Sequence, residues 1–181
     1  MSKLAFIFPG QGAQKAGMGK DFYENSEAAR SFFDQAQKIL DFDLKEMCFG
    51  EHEELNLTEY TQPCMVSVCL AIVQELKKRG INPDITAGLS LGEYAAVAAA
   101  DGMNELDAIK LVRRRGILMQ STVPAGEGAM AAVLGLDAKK IEEILESFEN
   151  VWIANYNCPG QIVITGLTNE VQQASLALKE A

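Results

Sequence analysis

The sequence predicts an α/β protein in two parts, a core with a mostly parallel sheet over residues 1–127 and a smaller β-α-β-β-α unit over residues 128–181. Three observations predict it. The apolar run Leu4 to Phe8 stops at a glycine-rich loop, Pro9 to Gly19, and helical spacing follows, which reads as a β-loop-α opening. A second short apolar run, Asp84 to Leu89, turns at once into the alanine-rich stretch after Ser90. From Ala129 onward, short strand-like runs and two helical patterns alternate within about fifty residues.

Each element has a local reason. Helical spacing runs from Asp21 to Leu40, so one helix is expected there. A second long helix is expected from Thr61 to Arg79: Thr61 can cap it, Pro63 suits a first turn, and Lys77-Lys78-Arg79 followed by Gly80 closes it. Asn104 caps a helix from Glu105 to about Thr122, ended by "VPAGEG". In the second part Ala129 to Leu136 is a strand, and Asp137 caps the helix Ala138 to Phe148. Val151 to Asn155 is the next strand, "NCPG" turns, Gln161 to Thr165 is another, and Thr168 caps a last helix running to Ala181. This order is a split βαβ, ferredoxin-like pattern without its closing strand, which would leave Ala129 to Leu136 as an apolar edge.

Composition removes several classes of function. With 48% apolar and 23% charged residues the chain can bury a core, and no segment is biased enough to be disordered. A formal charge of −9 opposes nucleic acid and anionic membrane as partners. The first apolar run is too short for a signal-peptide core and no later run approaches a membrane span, so a cytoplasmic protein is expected. Cys48, Cys64, Cys69 and Cys158 have no metal-ligand spacing; they read as buried reduced thiols, and no metal is expected.

The chemistry centres on "GLSLGEY", Gly88 to Tyr94. Ser90 stands where a strand turns sharply into a helix, flanked by Gly88 and Gly92, as in the nucleophile elbow of a hydrolase-like core. The glycines are needed because the turn brings backbone segments too close for side chains, and the serine adopts a strained conformation. The Leu91 N–H then faces the developing oxyanion, and the helix dipole adds to it. A second donor should come from another loop at the same sheet edge, and Gln11 in "FPGQGAQ" is the candidate. A nucleotide loop fits poorly: Lys15 stands where the third glycine of G-x-G-x-x-G belongs, and there is no G-K-[ST]. A glycine-lined helix start without catalysis is the plainer alternative for Ser90.

Arg113-Arg114-Arg115 cannot share one helix face, so at least one arginine points inward and needs an anionic partner. On spacing alone a structural carboxylate is the commoner partner and a ligand carboxylate the alternative. His52, the one histidine, lies in the polar stretch "FGEHEEL", far in sequence from the elbow.

Six blocks in order, "FIFPGQGAQKAGMG", "LTEYTQP", "GLSLGEYAAVAAAD", "RRRGILMQ", "GAMAAVLGL" and "ANYNCPGQIVITG", resemble the malonyl-CoA:acyl carrier protein transacylase family over essentially the whole chain. The resemblance implies that Ser90 accepts the acyl group, that backbone N–H groups of Gln11 and Leu91 form the oxyanion hole, and that Arg115 binds the malonyl carboxylate. It implies a coenzyme A thioester and acyl carrier protein as partners, no further cofactor, and a place in fatty acid synthesis. Arg113 and Arg114 are left as a solvated face unless they meet the partner. An acidic carrier would need a local basic patch, drawn from Lys77, Lys78, Arg79, Lys110, Arg113 or Arg114. Leu89 departs from the histidine that many members have before the nucleophile. The catalytic histidine and a supporting glutamine of the family fall beyond Ala181, so the base is not expected within this chain, which alone would be inactive or very weak. A serine hydrolase or thioesterase, and an inert binding module, are the other readings.

Overall fold

The computed structural model describes residues 3–124 and 126–181. The chain forms two compact units, Met1–Ser121 and Thr122–Ala181. In the first, β1 (Ala5–Phe8) and β2 (Ile85–Gly88) pair in parallel, with Phe8 opposite Gly88. Parallel pairing puts the chain exits of both strands at one end of the sheet, so the loops after Phe8 and Gly88 leave side by side. The Leu89 N–H continues the ladder onto the Phe8 carbonyl at 3.1 Å.

The helical run expected over Asp21 to Leu40 is two helices, α1 (Lys20–Asn25) and α2 (Glu27–Gln37). Ser26 breaks it: its backbone is extended, and its hydroxyl accepts the Ala29 N–H at 3.0 Å as a cap for α2. That hydroxyl also donates to Glu75, 2.5 Å away. A short helix α3 (Leu44–Phe49), capped by Asp43, and a 3₁₀ turn at Glu53–Asn56 follow, neither expected from the sequence.

The central helix α4 (Thr58–Lys78) starts one turn earlier than its sequence suggests. Thr61 is not its cap; it lies inside the helix, fully buried, and donates its hydroxyl to the carbonyls of Leu55 and Leu57. Every residue from Thr61 to Val68 is buried, as befits a helix packed on all sides. Gly80, at φ 75, closes α4: its N–H reaches the Lys77 carbonyl and the Ile81 N–H the Leu76 carbonyl, a Schellman end. After β2 come α5 (Gly92–Ala99) and α6 (Glu105–Thr122), the latter capped by Asn104, whose Oδ1 accepts from Leu106 and Asp107. Phe33, Leu44, Leu70, Leu91, Ile109 and Val112 form the heart of this unit.

The second unit has its own core around Ile141, Ile164, Val171 and Ala174. Its three strands, β3 (Gly128–Leu134), β4 (Val151–Cys158) and β5 (Gln161–Leu167), form an antiparallel sheet in the order β3-β5-β4. Thus β3 is an edge strand, with Met130 and Leu134 exposed, and β4 and β5 are joined at Pro159-Gly160. Two helices, α7 (Ala138–Leu145) and α8 (Thr168–Glu180), complete the unit. Asp137 caps α7 as expected, whereas Thr168 is the first residue of α8, and its hydroxyl donates to the Gly126 carbonyl at 2.7 Å. Among the described residues no helix is long and apolar enough to cross a membrane.

Candidate active site

Ser90 sits at φ 53, in the left-handed region that side chains rarely adopt, and it is solvent-exposed rather than sunk in the core. The glycines on either side make that bend feasible. A Cβ on Gly88 would lie 2.1 Å from the Gly92 carbonyl carbon, and one on Gly92 would lie 2.5 Å from the Phe8 carbonyl oxygen. Both contacts are with backbone, which cannot move aside without undoing the β1–β2 ladder. Gly92 opens α5, so Ser90 and Leu91 precede its first turn.

The loop that carries Gln11 leaves β1 beside this bend. At Gly10 a Cβ would already touch the Leu89 carbonyl at 3.0 Å, so the two loops run against each other. The Gln11 side-chain oxygen accepts the Thr58 hydroxyl at 2.7 Å, and the Gly12 N–H donates to Gln14 Oε1 at 2.7 Å. Gln14 in turn donates to Asn56. The loop is therefore moored to the segment that leads into α4.

Arg115 completes the cluster. Its Nη2 donates to Ser90 Oγ at 3.1 Å, its Nη1 donates to Gln62 Oε1 at 2.6 Å, and its guanidinium carbon lies 5.9 Å from the Tyr94 ring centre. The next residue explains how α6 comes so close. A Cβ on Gly116 would lie 2.7 Å from the Thr58 carbonyl oxygen and from Glu59 Cα, so only glycine lets α6 rest on the backbone of α4. Of the four residues singled out from the sequence, Ser90 and Arg115 are hydrogen-bonded, Leu91 follows Ser90 with its side chain buried, and Gln11 is linked to Arg115 through Thr58 and Gln62.

Three residues were not foreseen. Gln62 is fully buried and bonds at both ends, accepting from Arg115 and donating to Thr58 Oγ1 at 2.9 Å and to the Met119 sulfur. Thr58 joins Gln62 to Gln11. The third, Arg113, is no solvated residue: its side chain is 13% exposed. It grips both Asp41 carboxylate oxygens at 2.9 Å, reaches the Glu59 carboxylate, and lies about 5 Å from the ring centres of Phe42 and Tyr60. Its Nη1 also donates to the Glu59 carbonyl at 2.8 Å. That carbonyl is the one Pro63 cannot bond, since proline lacks the N–H that would normally reach four residues back. Arg113 thereby repairs the gap that Pro63 leaves in α4. Burial lowers the proton affinity of Arg113, but Asp41 and Glu59 outweigh it, and Arg113 holds Asp41 below its ordinary 3.8.

The other candidates have partners or surroundings of their own. His52 shares a hydrogen bond with Glu46 at 3.1 Å. Of the expected basic patch, Lys77 pairs with Asp101, Lys78 with Glu27, Arg79 with Glu75 and Lys110 with Asp107, so their charges are largely balanced locally. Arg114 is exposed. Cys48 and Cys64 are buried as expected, but Cys69 is half-buried and Cys158 exposed on β4. Contact with the Cys48 thiol, then burial, pushes the Cys64 thiol well above the ordinary range, and burial lifts Cys69 to about 11. Neither Cys64 nor Cys69 therefore has the thiolate character of a nucleophile. Among the described residues no group of acidic, histidine or cysteine side chains is arranged to hold a metal ion.

A strained serine between obligatory glycines, bonded to an inward arginine, is a pattern that can be compared with known proteins. Residues 5–181 match the acyl transferase domain family. The chain belongs to that family. Within it, the chain is 48% identical over 185 residues to the malonyl CoA-acyl carrier protein transacylase of Bacillus subtilis (strain 168), a match covering 99% of the chain and 58% of that enzyme. The crystal structure of malonyl CoA-acyl carrier protein transacylase from Clostridium perfringens Atcc 13124 superposes with a TM-score of 0.89 at 43% identity, again over 99% of this chain and 58% of that one. A type II PKS acyl-carrier protein in complex with its malonyl-transacylase gives a further match, TM-score 0.90 at 38% identity over 99% of this chain and 60% of that one. This acyl transferase domain chain thus spans a little under two thirds of the length of each.

Proposed function

We propose that the protein transfers a malonyl group from malonyl-CoA to the phosphopantetheine thiol of acyl carrier protein, through an ester on Ser90, in fatty acid synthesis. The observation that carries this reading is the 3.1 Å contact between Ser90 Oγ and the Arg115 guanidinium, at a bend that only Gly88 and Gly92 permit. A nucleophile and a fixed cation so close select a short acyl group that ends in a second, negatively charged carboxyl. The carrier protein as acceptor is supported by the similarity to a transacylase bound to its carrier.

In this reading the Ser90 oxygen attacks the thioester carbonyl as its proton passes to a base. The backbone N–H groups of Gln11 and Leu91 donate to the oxygen that gains the charge. The carbon–sulfur bond breaks, and the coenzyme A thiol leaves with a proton returned by the base. The carrier thiol then attacks the Ser90 ester and the same steps run in reverse, restoring the serine hydroxyl. No resident cofactor or metal enters these steps. His52 shares its hydrogen bond with Glu46 and is not the base in this reading.

Arg115 sets the preference. A guanidinium fork binds a carboxylate through two N–H groups, whereas an acetyl group offers nothing to pair with it. The test is Arg115→Ala in the full-length protein, assayed with malonyl and acetyl thioesters. The malonyl-to-acetyl ratio of kcat/KM should fall by about a hundredfold or more, as expected for loss of a paired charge worth roughly 3 kcal/mol. An unchanged ratio would remove Arg115 from the site. Wild-type protein that releases free malonate without forming carrier thioester would point instead to a hydrolase.

A further inference from the structure

The chain of side chains joining Arg115 to Gln11 has a direction that chemistry imposes. A guanidinium can only donate, so the Gln62 group facing Arg115 is its carbonyl oxygen. The Gln62 amide nitrogen must then face the other way, where it donates to Thr58 Oγ1 at 2.9 Å and to the Met119 sulfur. With a lone pair so engaged, the Thr58 hydroxyl sends its proton to Gln11 Oε1 at 2.7 Å. The Thr58 backbone N–H donates at 3.2 Å to Gln120 Oε1, five residues beyond Arg115 on α6. Gln62 is fully buried, so an alternative partner from solvent is not at hand.

We propose that Thr58 is a positioning residue: its hydroxyl couples the loop that presents the Gln11 N–H to the guanidinium beside Ser90, so that oxyanion donor and carboxylate anchor are held in one geometry. The inference rests on the transacylase reading and adds to it a residue that touches neither the substrate nor Ser90. A hydroxyl is required because it must accept from one neighbour and donate to the next. Valine has the same shape and can do neither. Serine can do both.

The experiment compares Thr58→Val and Thr58→Ser in the full-length protein, with kcat and KM for malonyl and acetyl thioesters. Thr58→Val should lower kcat for malonyl transfer by about tenfold, less than the hundredfold or more lost with a direct oxyanion donor, because the Gln11 N–H is loosened and not removed. KM should change less than kcat, and the malonyl-to-acetyl ratio should fall. Thr58→Ser should stay within about twofold of wild type. Equal losses in both variants, or wild-type kinetics in Thr58→Val, would overturn the proposal.

Gln11→Leu removes the other end of the same hydrogen bond and keeps the backbone N–H, so a double-mutant cycle gives an independent reading. Thr58→Val and Gln11→Leu together should be no slower than the worse of the two; multiplied losses would show that no coupling exists. If Thr58→Val does not fold, Gln11→Leu alone decides: it should show the same loss of kcat and of the malonyl-to-acetyl ratio, and wild-type kinetics would overturn the proposal. A labelling experiment separates this proposal from the transacylase reading. A fluorophosphonate needs Ser90 and the oxyanion donors but no carboxylate, and it should label Thr58→Val about tenfold more slowly even if malonyl transfer were absent from the wild type. Equal labelling rates would refute the coupling.

Discussion

Replacing Arg113 by alanine tests whether this side chain holds α4 and α6 together. Its two bonds to Asp41 are worth at most about 1 kcal/mol, because Asp41 is largely in water. The contacts with Phe42 and Tyr60 add about 1 kcal/mol each at this degree of burial. The Glu59 carbonyl, abandoned by Pro63, loses its Arg113 donor, at about 1–3 kcal/mol. Relief from holding a cation at 13% exposure offsets part of the sum, leaving a net loss of about 3 kcal/mol at neutral pH. The assay is urea unfolding followed by circular dichroism at the helical minimum. Fluorescence is unsuitable, because the one tryptophan, Trp152, lies in the second unit. Arg113→Lys should recover less than half of the loss, since an ammonium cannot span Asp41 and the Glu59 carbonyl together. The pH dependence has a definite sign. Asp41 has a lowered pKa in the folded state, so its contribution is complete above about 3.8 and fades as pH falls through the lower folded value. The gap between wild type and Arg113→Ala should narrow in that acid window. A loss below about 0.5 kcal/mol at neutral pH, within the range of an ordinary surface substitution, would refute the account of α4.

Two further substitutions probe the same packing. Gly116→Ala improves helix propensity by roughly 1 kcal/mol, yet its Cβ would press on the Thr58 and Glu59 backbone at 2.7 Å. A net destabilisation of about 1–3 kcal/mol is expected in urea unfolding, together with a weaker preference for malonyl, and a more stable protein would contradict the close approach. Ser67 Oγ is buried without a hydrogen-bond partner among the described residues. Ser67→Ala should therefore raise stability by about 1 kcal/mol, read as a higher urea midpoint, and a lower midpoint would mean that the hydroxyl has a partner.

What the sequence disclosed and what it concealed divide by range. The bend at Ser90, the Pro9–Gly19 loop and the caps Asn104 and Asp137 were legible because their causes lie within a few residues. The break at Ser26 was also local, but it lay inside a hydrophobic repeat that continues across it; the pair Asn25-Ser26, poor within a helix and good as a cap, was the available signal. The start of α4 was misjudged for a different reason. Pro63 belongs to a first turn only if nothing else can satisfy the carbonyl it leaves open, and here the donor comes from Arg113, fifty residues away. The same distance hid Gln62 and Thr58, whose partners Arg115 and Gln11 lie in other segments. A glutamine four residues after the threonine that starts a helix carries no period or motif; only its complete burial shows that it must be bonded at both ends.

These long-range contacts explain why the arginine run has the sequence it has. The residue before α4, Leu57, offers no capping side chain, so the first turn needs an acceptor from elsewhere, and Pro63 leaves it needing a donor as well. They come from one face of α6: Gln120 accepts the Thr58 N–H, Arg113 donates to the Glu59 carbonyl, and Gly116 between them allows the contact. Arg113, Gly116 and Gln120 recur at the three- and four-residue spacing of a helix stripe, and Arg115 with Met119 forms the stripe beside it. The turn that α6 completes is the turn that bears Thr58 and Gln62. It follows that Arg115 is not an arginine placed near a serine by a rigid scaffold made elsewhere. The helix that carries it also builds the end of the helix that orients it, so a displacement of α6 would disturb the cap, the Arg115–Ser90 contact and the Gln11 loop at once.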